Sequence, residues 1–344
     1  MHFYLGLLIL SCALTLGLMV PFIGVLYKLK FIRKKETDEV RKNATANFYK
    51  IRDLHAVKAG VPTGGGILVV AVVVVVFAMA TIYLALHKNL FSGLPMLGEL
   101  GVLFFTFLGF GILGLYDDII KIFGFEKTGF FGLRMRHKFI LQWLLGIGAA
   151  VIIYFFLKVD IVFVPFFGTL RLSFLMLPLA ATLVVGFANS FDFTDGLDGL
   201  SCGLLMICLI AFWVISLHDL DNILSVFIAV WIGSLMAYLY FNIFPARIML
   251  GNVGGLAFGA TLAVVGLLSG KTVALLVIGG VFLAEGASSA LQIFSKKFMK
   301  RRIFPIAPLH HWLQLIGWEE PKIVARAWLV GICLAIFGVW LAML

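Results

Sequence analysis

Apolar residues run through this sequence in stretches of membrane length, and polar residues collect in the gaps between them. The segment NSFDFTDGLDG (189–199), for example, leads directly into LSCGLLMICLIAFWVI (200–215). A helix needs roughly 20 apolar residues to cross a bilayer, and the runs have that length rather than the short alternation of an outer-membrane barrel. The pattern predicts ten spans, near 3–27, 65–87, 100–120, 139–157, 173–189, 200–217, 222–241, 254–270, 272–294 and 323–343. The fold class expected is therefore an all-α polytopic membrane protein, a single domain over 1–344. The first run lacks a basic leader and is too long for a cleavable signal peptide.

Composition agrees. The chain is 62% hydrophobic and 13% charged, with a mean hydropathy of +1.10. A soluble domain averages about 45–50% apolar and about 25% charged residues.

Charge orients the spans. All but four of the 27 Lys and Arg fall in alternate loops: 28–58, 121–138, the turn holding Arg247, and 295–326. The opposite loops keep Lys88, Lys158, Arg171 and Lys271. By the positive-inside rule the rich side is cytoplasmic and both termini lie outside. The net charge of +10 is thus topological and calls for no nucleic acid. Cys12, Cys202, Cys208 and Cys333 sit singly in spans and read as packing residues.

The informative polar residues share the cytoplasmic side: HAVKAGVPTGGG (55–66), GLYDDIIK (114–121), the acidic loop, FNIFPARIMLGNVGG (241–255) and APLHHWLQLIGWEE (307–320). A transporter would instead place ionisable groups near the midplane, often on repeated, interrupted helices. Glu285 is the clearest deep acid; it shares a helix face with Gln292 and is expected to make an interhelical hydrogen bond.

Adjacent carboxylates Asp117 and Asp118 at a helix end need a cation, supplied in part by Lys121 and in part by Mg²⁺. Asp192, Asp195 and Asp198 lack EF-hand spacing, and the glycines Gly196 and Gly199 suit a tight loop closing on a ligand. The glycines of 60–66 with Thr63, beside Lys58, suit phosphate, though glycines also serve helix packing. His310 and His311 have the chemistry to bind metal, hold phosphate or shuttle protons. Carboxylates, lysines and Mg²⁺ at an interface suit phosphoryl transfer from a nucleotide-linked donor to a lipid phosphate.

Taken in order, HAVKAGVPTGGG, GLYDDIIK, GLRMRHKFILQ, FDFTDGLDGL, FNIFPARIMLGN and RRIFPIAPLHHWLQLIGWEE resemble the signatures of the phospho-N-acetylmuramoyl-pentapeptide transferases, a branch of the polyprenyl-phosphate N-acetylhexosamine-1-phosphate transferases. The resemblance implies ten helices, a homodimer in the bacterial inner membrane, and Mg²⁺-dependent transfer of phospho-MurNAc-pentapeptide from UDP-MurNAc-pentapeptide to undecaprenyl phosphate, giving lipid I and UMP. It implies Asp117 as activator of the lipid phosphate, with Asp118 as its partner near the metal. Lys121, His310 and His311 join these as catalytic residues. Lys58, Thr63, Lys138, Asp195, Gly196, Leu197, Asp198, Asn242, Met249 and Gln292 are implied to bind substrate.

The sequence departs from the family pattern at four positions. Met249 stands where an aromatic is usual, Asn252 where a metal-binding aspartate is usual, Trp312 for a third histidine, and Asp192 for asparagine. Because the carboxylate count is unchanged, Asp192 is expected to share the metal site with Asp118 and Asn252. The alternatives are a related transferase with another UDP-sugar donor, and a homologue that binds carrier lipid or nucleotide without turnover.

Overall fold

The computed structural model describes residues 1–33, 46–87, 92–123 and 135–344. Lys34, Lys35, Arg41, Lys42, Lys88, Lys127 and Arg134, which the charge argument used, lie outside the described residues. The helices are α1 (His2–Lys28), α2 (Ala46–His55), α3 (Gly65–Leu86), α4 (Met96–Phe123), α5 (Met135–Val151), α6 (Met176–Thr194), α7 (Leu200–His218), α8 (Asn222–Asn242), α9 (Gly251–Leu268), α10 (Thr272–Ile278), α11 (Gly280–Phe294), α12 (Leu309–Leu315) and α13 (Glu320–Ala342). Among the described residues nine helices are long and apolar enough to cross a membrane, or ten if α10 and α11 count as one broken span.

Burial orders the bundle. In α9, 94% of the most apolar window is buried, against 17% in α1 and 28% in α13. The first is the central helix and the other two face outward. Small residues explain the place of α9: its Gly and Ala positions let α4 and α6 pack close, the usual device where lipid supplies no hydrophobic drive. Around it Phe107 meets Trp231 edge-on at 5.2 Å and stacks on Phe258 at 5.8 Å, a geometry that suits the ring quadrupoles.

One feature adds to the sequence reading and one corrects it. The segment between α5 and α6, which lies between two expected spans, is more than a connecting loop. It holds an antiparallel hairpin, β1 (Ile161–Val164) and β2 (Gly168–Arg171), because Ile161–Val164 is β-branched or aromatic and Phe166 and Gly168 both turn at positive φ. Arg171 closes its base on Asp160 at 2.6 Å. The ninth span is also not straight: α10 and α11 bend by 76° at the Gly279–Gly280 pair. Glycine pairs are a common site of sharp kinks.

The alternation of spans brings the C-terminal ends of α4, α6 and α8 together with the N-terminal ends of α3, α5, α7, α9 and α13. All the motifs with candidate chemistry sit at that end.

Candidate functional site

The floor of the site is a backbone ladder of three short segments. Arg33 N donates to Val61 O and Gly60 N to Arg33 O, both at 3.0 Å, and Thr63 N donates to Phe31 O at 3.0 Å. On the other side Met249 N donates to Pro62 O at 2.8 Å, and Gly65 and Gly66 donate to Met249 and Leu250 at 2.9 Å. The glycines of GVPTGGG therefore join three loops and start α3.

Asp117 and Asp118, near the end of α4, meet the start of α9. The Asn252 amide nitrogen donates to Asp117 Oδ2 at 2.5 Å, and Val253 N donates to Asp118 Oδ2 at 3.3 Å. Carboxylates are favoured at a helix N-terminus by its exposed N–H groups and dipole. Gly251 makes the approach possible: it has φ +78, and a Cβ there would stand 2.7 Å from Asp118 Oδ2.

Lys138, from α5, ties the two acidic motifs together. Its Nζ lies 3.1 Å from Asp117 Oδ2 and 3.1 Å from Asp192 Oδ2. Asp192 also abuts Gly255, one turn along α9 from Asn252. The chain Asn252–Asp117–Lys138–Asp192 is thus continuous.

The acidic loop is fastened from behind. Lys58 is buried and bridges Asp198 at 2.7 Å and Glu320 at 2.6 Å. Glu320 also accepts the backbone N–H of Asp198 at 2.5 Å, and Ala246 N donates to Asp198 Oδ2 at 2.9 Å. Asn242 accepts from Gly199 N and donates to Ile248 O, which uses both ends of its amide. Asp195 accepts the Ser201 hydroxyl. Burial, with Asp192 and Asp198 nearby, pushes the Asp195 carboxyl up to about 7, against the Ser201 bond and Lys58.

These elements enclose a cavity of about 510 Å³. Thr63, Asp117, Asp118, Lys121, Lys138 and Asp192 line it, as do Asp195, Gly196, Leu197, Asp198, Asn242, Met249 and Asn252. The remaining sequence-nominated residues do not line it. Lys58 lies behind in its ion pairs. Gln292 spends its amide on the backbone of Ile303 and Phe304, and so shapes the approach to α12.

His310 is buried directly behind the acidic loop. Its Nδ1 and backbone N–H both meet Glu285 at 3.1 Å, and a Cβ on Gly196 would clash with its Nε2. The interhelical hydrogen bond expected of Glu285 is thus made, from α11 to His310 on α12, and it places Glu285 beside the acidic loop. Nε2 of His310 has no partner among the described residues. His311 and His55 share the Gln314 carbonyl oxygen at 3.0 and 3.1 Å. Burial lowers His55 to about 4 and His311 to about 3, so both are neutral at pH 7 and supply no charge to a phosphate.

Arg33 and Glu320 are the residues that sequence reasoning passed over. Arg33 lines the cavity, its Nη1 3.7 Å from the Met249 sulfur. Burial lowers its guanidinium below the usual range, while Asp198, Asp195 and Glu320 oppose the shift.

The oxygen donors of Asp117, Asp118, Asp192 and Asn252 match the hard-ligand preference of Mg²⁺. Among the described residues no group of three or more His, Cys, Asp and Glu is arranged to hold a metal ion by itself.

Residues 99–270 match the family model described as Glycosyl transferase family 4. The chain is similar to the phospho-N-acetylmuramoyl-pentapeptide-transferase of Caldanaerobacter subterraneus subsp. tengcongensis, with 37% identity over 90% of this chain and 89% of the relative. The protein of the same name from Limosilactobacillus reuteri is 35% identical over 96% of this chain and 97% of its own length. That of Acetivibrio thermocellus is 31% identical over 96% and 92%.

Proposed function

The chain belongs to the phospho-N-acetylmuramoyl-pentapeptide-transferase family, a multi-pass bacterial inner-membrane family of peptidoglycan precursor synthesis, and from that premise we propose that it transfers phospho-MurNAc-pentapeptide from UDP-MurNAc-pentapeptide to undecaprenyl phosphate. The products are lipid I and UMP. A phosphate oxygen of the lipid forms a bond to the sugar-linked phosphorus of the donor, and the bond from that phosphorus to the oxygen bridging to UMP breaks. The site faces the cytoplasm, where the soluble donor is, and the charge asymmetry of the loops supports this orientation.

The observation that carries the reading is the junction of Asp117 and Asp118 with the N-terminus of α9, at a cavity shared with Lys121, Lys138 and the acidic loop. Such a junction orients charged groups at low reorganisation cost, which is what phosphoryl transfer needs from a protein. Asp117 and Asp118 position and activate the lipid phosphate. Lys121 and Lys138 offset the charge that builds up on the phosphates. The α9 N-terminus adds N–H groups to the same purpose. Asp118 and Asp192, with the amide oxygen of Asn252, would hold Mg²⁺, which supplies charge neutralisation when bound. The protein acts as a homodimer, following the family resemblance.

Release of UMP from UDP-MurNAc-pentapeptide, with undecaprenyl phosphate and Mg²⁺ supplied, tests the proposal. Turnover that requires the lipid phosphate supports it. Turnover with another UDP-N-acetylhexosamine but not this donor would replace it.

A further inference from the structure

The end of the bundle opposite the transfer site holds a carboxyl with no ordinary partner. Glu99, in the first turn of α4, is fully buried. Its Oε2 accepts the Ser92 hydroxyl at 2.6 Å, while Oε1 has no N–H or hydroxyl donor among the described residues. The group that faces Glu99 is a second carboxyl, Asp221, with which it hydrogen-bonds. Among the described residues no Lys, Arg or His makes an ion pair with either of them.

Two ionised carboxylates repel at hydrogen-bonding distance, and neither has a hydrogen to give. The contact therefore needs one cation, and the surroundings select a proton. Asp221 caps α8, where its Oδ1 accepts the Leu224 N–H at 3.0 Å and the helix end favours its charge. It is thus the acceptor, and Glu99 supplies the donor. Ca²⁺ takes many oxygen ligands and Mg²⁺ keeps several waters. A fully buried Glu99 with one oxygen already on Ser92 offers neither. The other titratable neighbours are Tyr4, from the start of α1, and Asp219, which meets His218 at 3.2 Å in the turn before α8. His87, at the end of α3, is occupied with the Tyr83 carbonyl of its own helix at 2.8 Å. Tyr4 donates to Asn222 Oδ1 at 2.5 Å, so α1 is tied to the same point.

We propose that Glu99 and Asp221 form a proton-binding site that clamps α4 to α8 at this end of the bundle and releases them when the proton leaves. The two helices also meet at the transfer site. Asp117 and Asp118 lie about 27 Å farther along α4, and α8 ends at Asn242. Burial raises the Asp221 carboxyl, against its bonds from Leu224, Glu99 and Ile223, and Asp219 adds to the rise. A carboxyl raised in the fold contributes stability at low pH and loses that contribution as the pH rises.

Thermal melting of the detergent-solubilised full chain from pH 6 to 9.5, with EDTA present, tests the clamp. E99Q keeps a donor toward Asp221 but cannot titrate. Over that range the parent is expected to lose about 3 °C or more beyond any loss in E99Q. D221N also loses less than the parent, because its amide can turn a donor toward an ionised Glu99. Asp195 titrates in all three proteins and cancels. Infrared spectra give a second readout. The parent-minus-E99Q difference at pH 6 shows a protonated-carboxyl band that fades by pH 9.5. Should E99Q fail to fold, D221N carries the comparison, and an alkaline loss equal to the parent's then overturns the clamp. Equal alkaline losses in parent and E99Q, or a difference spectrum without the band, overturn it as well. An alkaline loss that Ca²⁺ or Mg²⁺ reverses in the parent and not in E99Q replaces the proton with a metal ion.

Discussion

Asn252 donates its amide N–H to Asp117 at 2.5 Å, so two residues from different helices share one proton-rich contact at the centre of the site. A carboxylate at position 252 would lose that contact and repel Asp117. Asn252→Asp is expected to lower metal-free stability by about 1–3 kcal/mol, the cost of replacing a hydrogen bond to a charged group. It is also expected to tighten divalent-cation binding, since the added charge needs neutralising. Melting curves with and without Mg²⁺, and Mn²⁺ titration followed by electron paramagnetic resonance, check both. Equal Mn²⁺ affinity in parent and variant refutes the second expectation.

Lys138 is the ammonium between two carboxylates, 3.1 Å from each. Lys138→Ala should reduce transfer by about 10²–10³, the usual cost of removing one preorganised charge-stabilising group. Adding Asp192→Asn to that variant should recover part of the lost melting temperature, because it removes a carboxylate left without its partner. Activity should stay low in both.

Glu320 accepts from Lys58 and from the Asp198 backbone. In Glu320→Ala a buried N–H and a buried ammonium each lose a partner, with an expected cost of about 1–3 kcal/mol. The acidic loop loses its rear support, so the KM for the donor should rise more than kcat falls. Steady-state kinetics over a donor series reads that split; an unchanged KM would count against it.

Gly196 leaves no room for a side chain in front of His310. Gly196→Ala should displace the loop and cut activity at least about tenfold, in line with the cost of small misplacements in a catalytic site. Paired with His310→Ala, which opens the space, it should regain native-like melting even though the histidine is lost.

The neutral histidines give a pH signature. His55 and His311 lie at about 4 and about 3, below the ordinary 6.5. Between those values and 6.5 the unfolded chain binds protons that the folded chain does not. Stability from this pair is full above pH 6.5 and declines as the pH falls toward 4. Asp195, raised to about 7, acts in the opposite sense: its contribution is present below 3.8 and is lost as the pH rises through 7. The difference in melting temperature between the parent and His55→Gln/His311→Gln, followed from pH 7 to 4, isolates the histidines. The double variant should lose less stability on acidification.

Spans and motif clustering were legible because lipid imposes a length on every apolar run and leaves polar residues only at the ends. The hairpin 161–171 was not, since two four-residue strands without alternation, set between long helices, carry little signal. The break at Gly279 was masked by unbroken hydropathy on both sides. Asp117, Asp118 and the acidic loop could be nominated from charge at span ends, and they line one cavity. Arg33 was hidden among the basic residues that orient the chain, since a topological anchor and a cavity residue look alike in sequence. Glu320 opens a helix, where an acid is ordinary, and only the fold shows that it reaches Lys58. Gln292 and Lys58 were nominated for ligand contact, and the fold gives both to the protein's own backbone and carboxylates.

The Lys58–Asp198–Glu320 cluster also sets an order of assembly. Lys58 precedes α3, Asp198 precedes α7, and Glu320 begins α13. During synthesis the first two enter the membrane environment long before the third has left the ribosome. Until α13 inserts, Lys58 has only one of its two carboxylates and the acidic loop lacks its rear clamp. The pocket's rear clamp is completed only when α13 has inserted, so the site stays unfinished until Glu320 reaches Lys58.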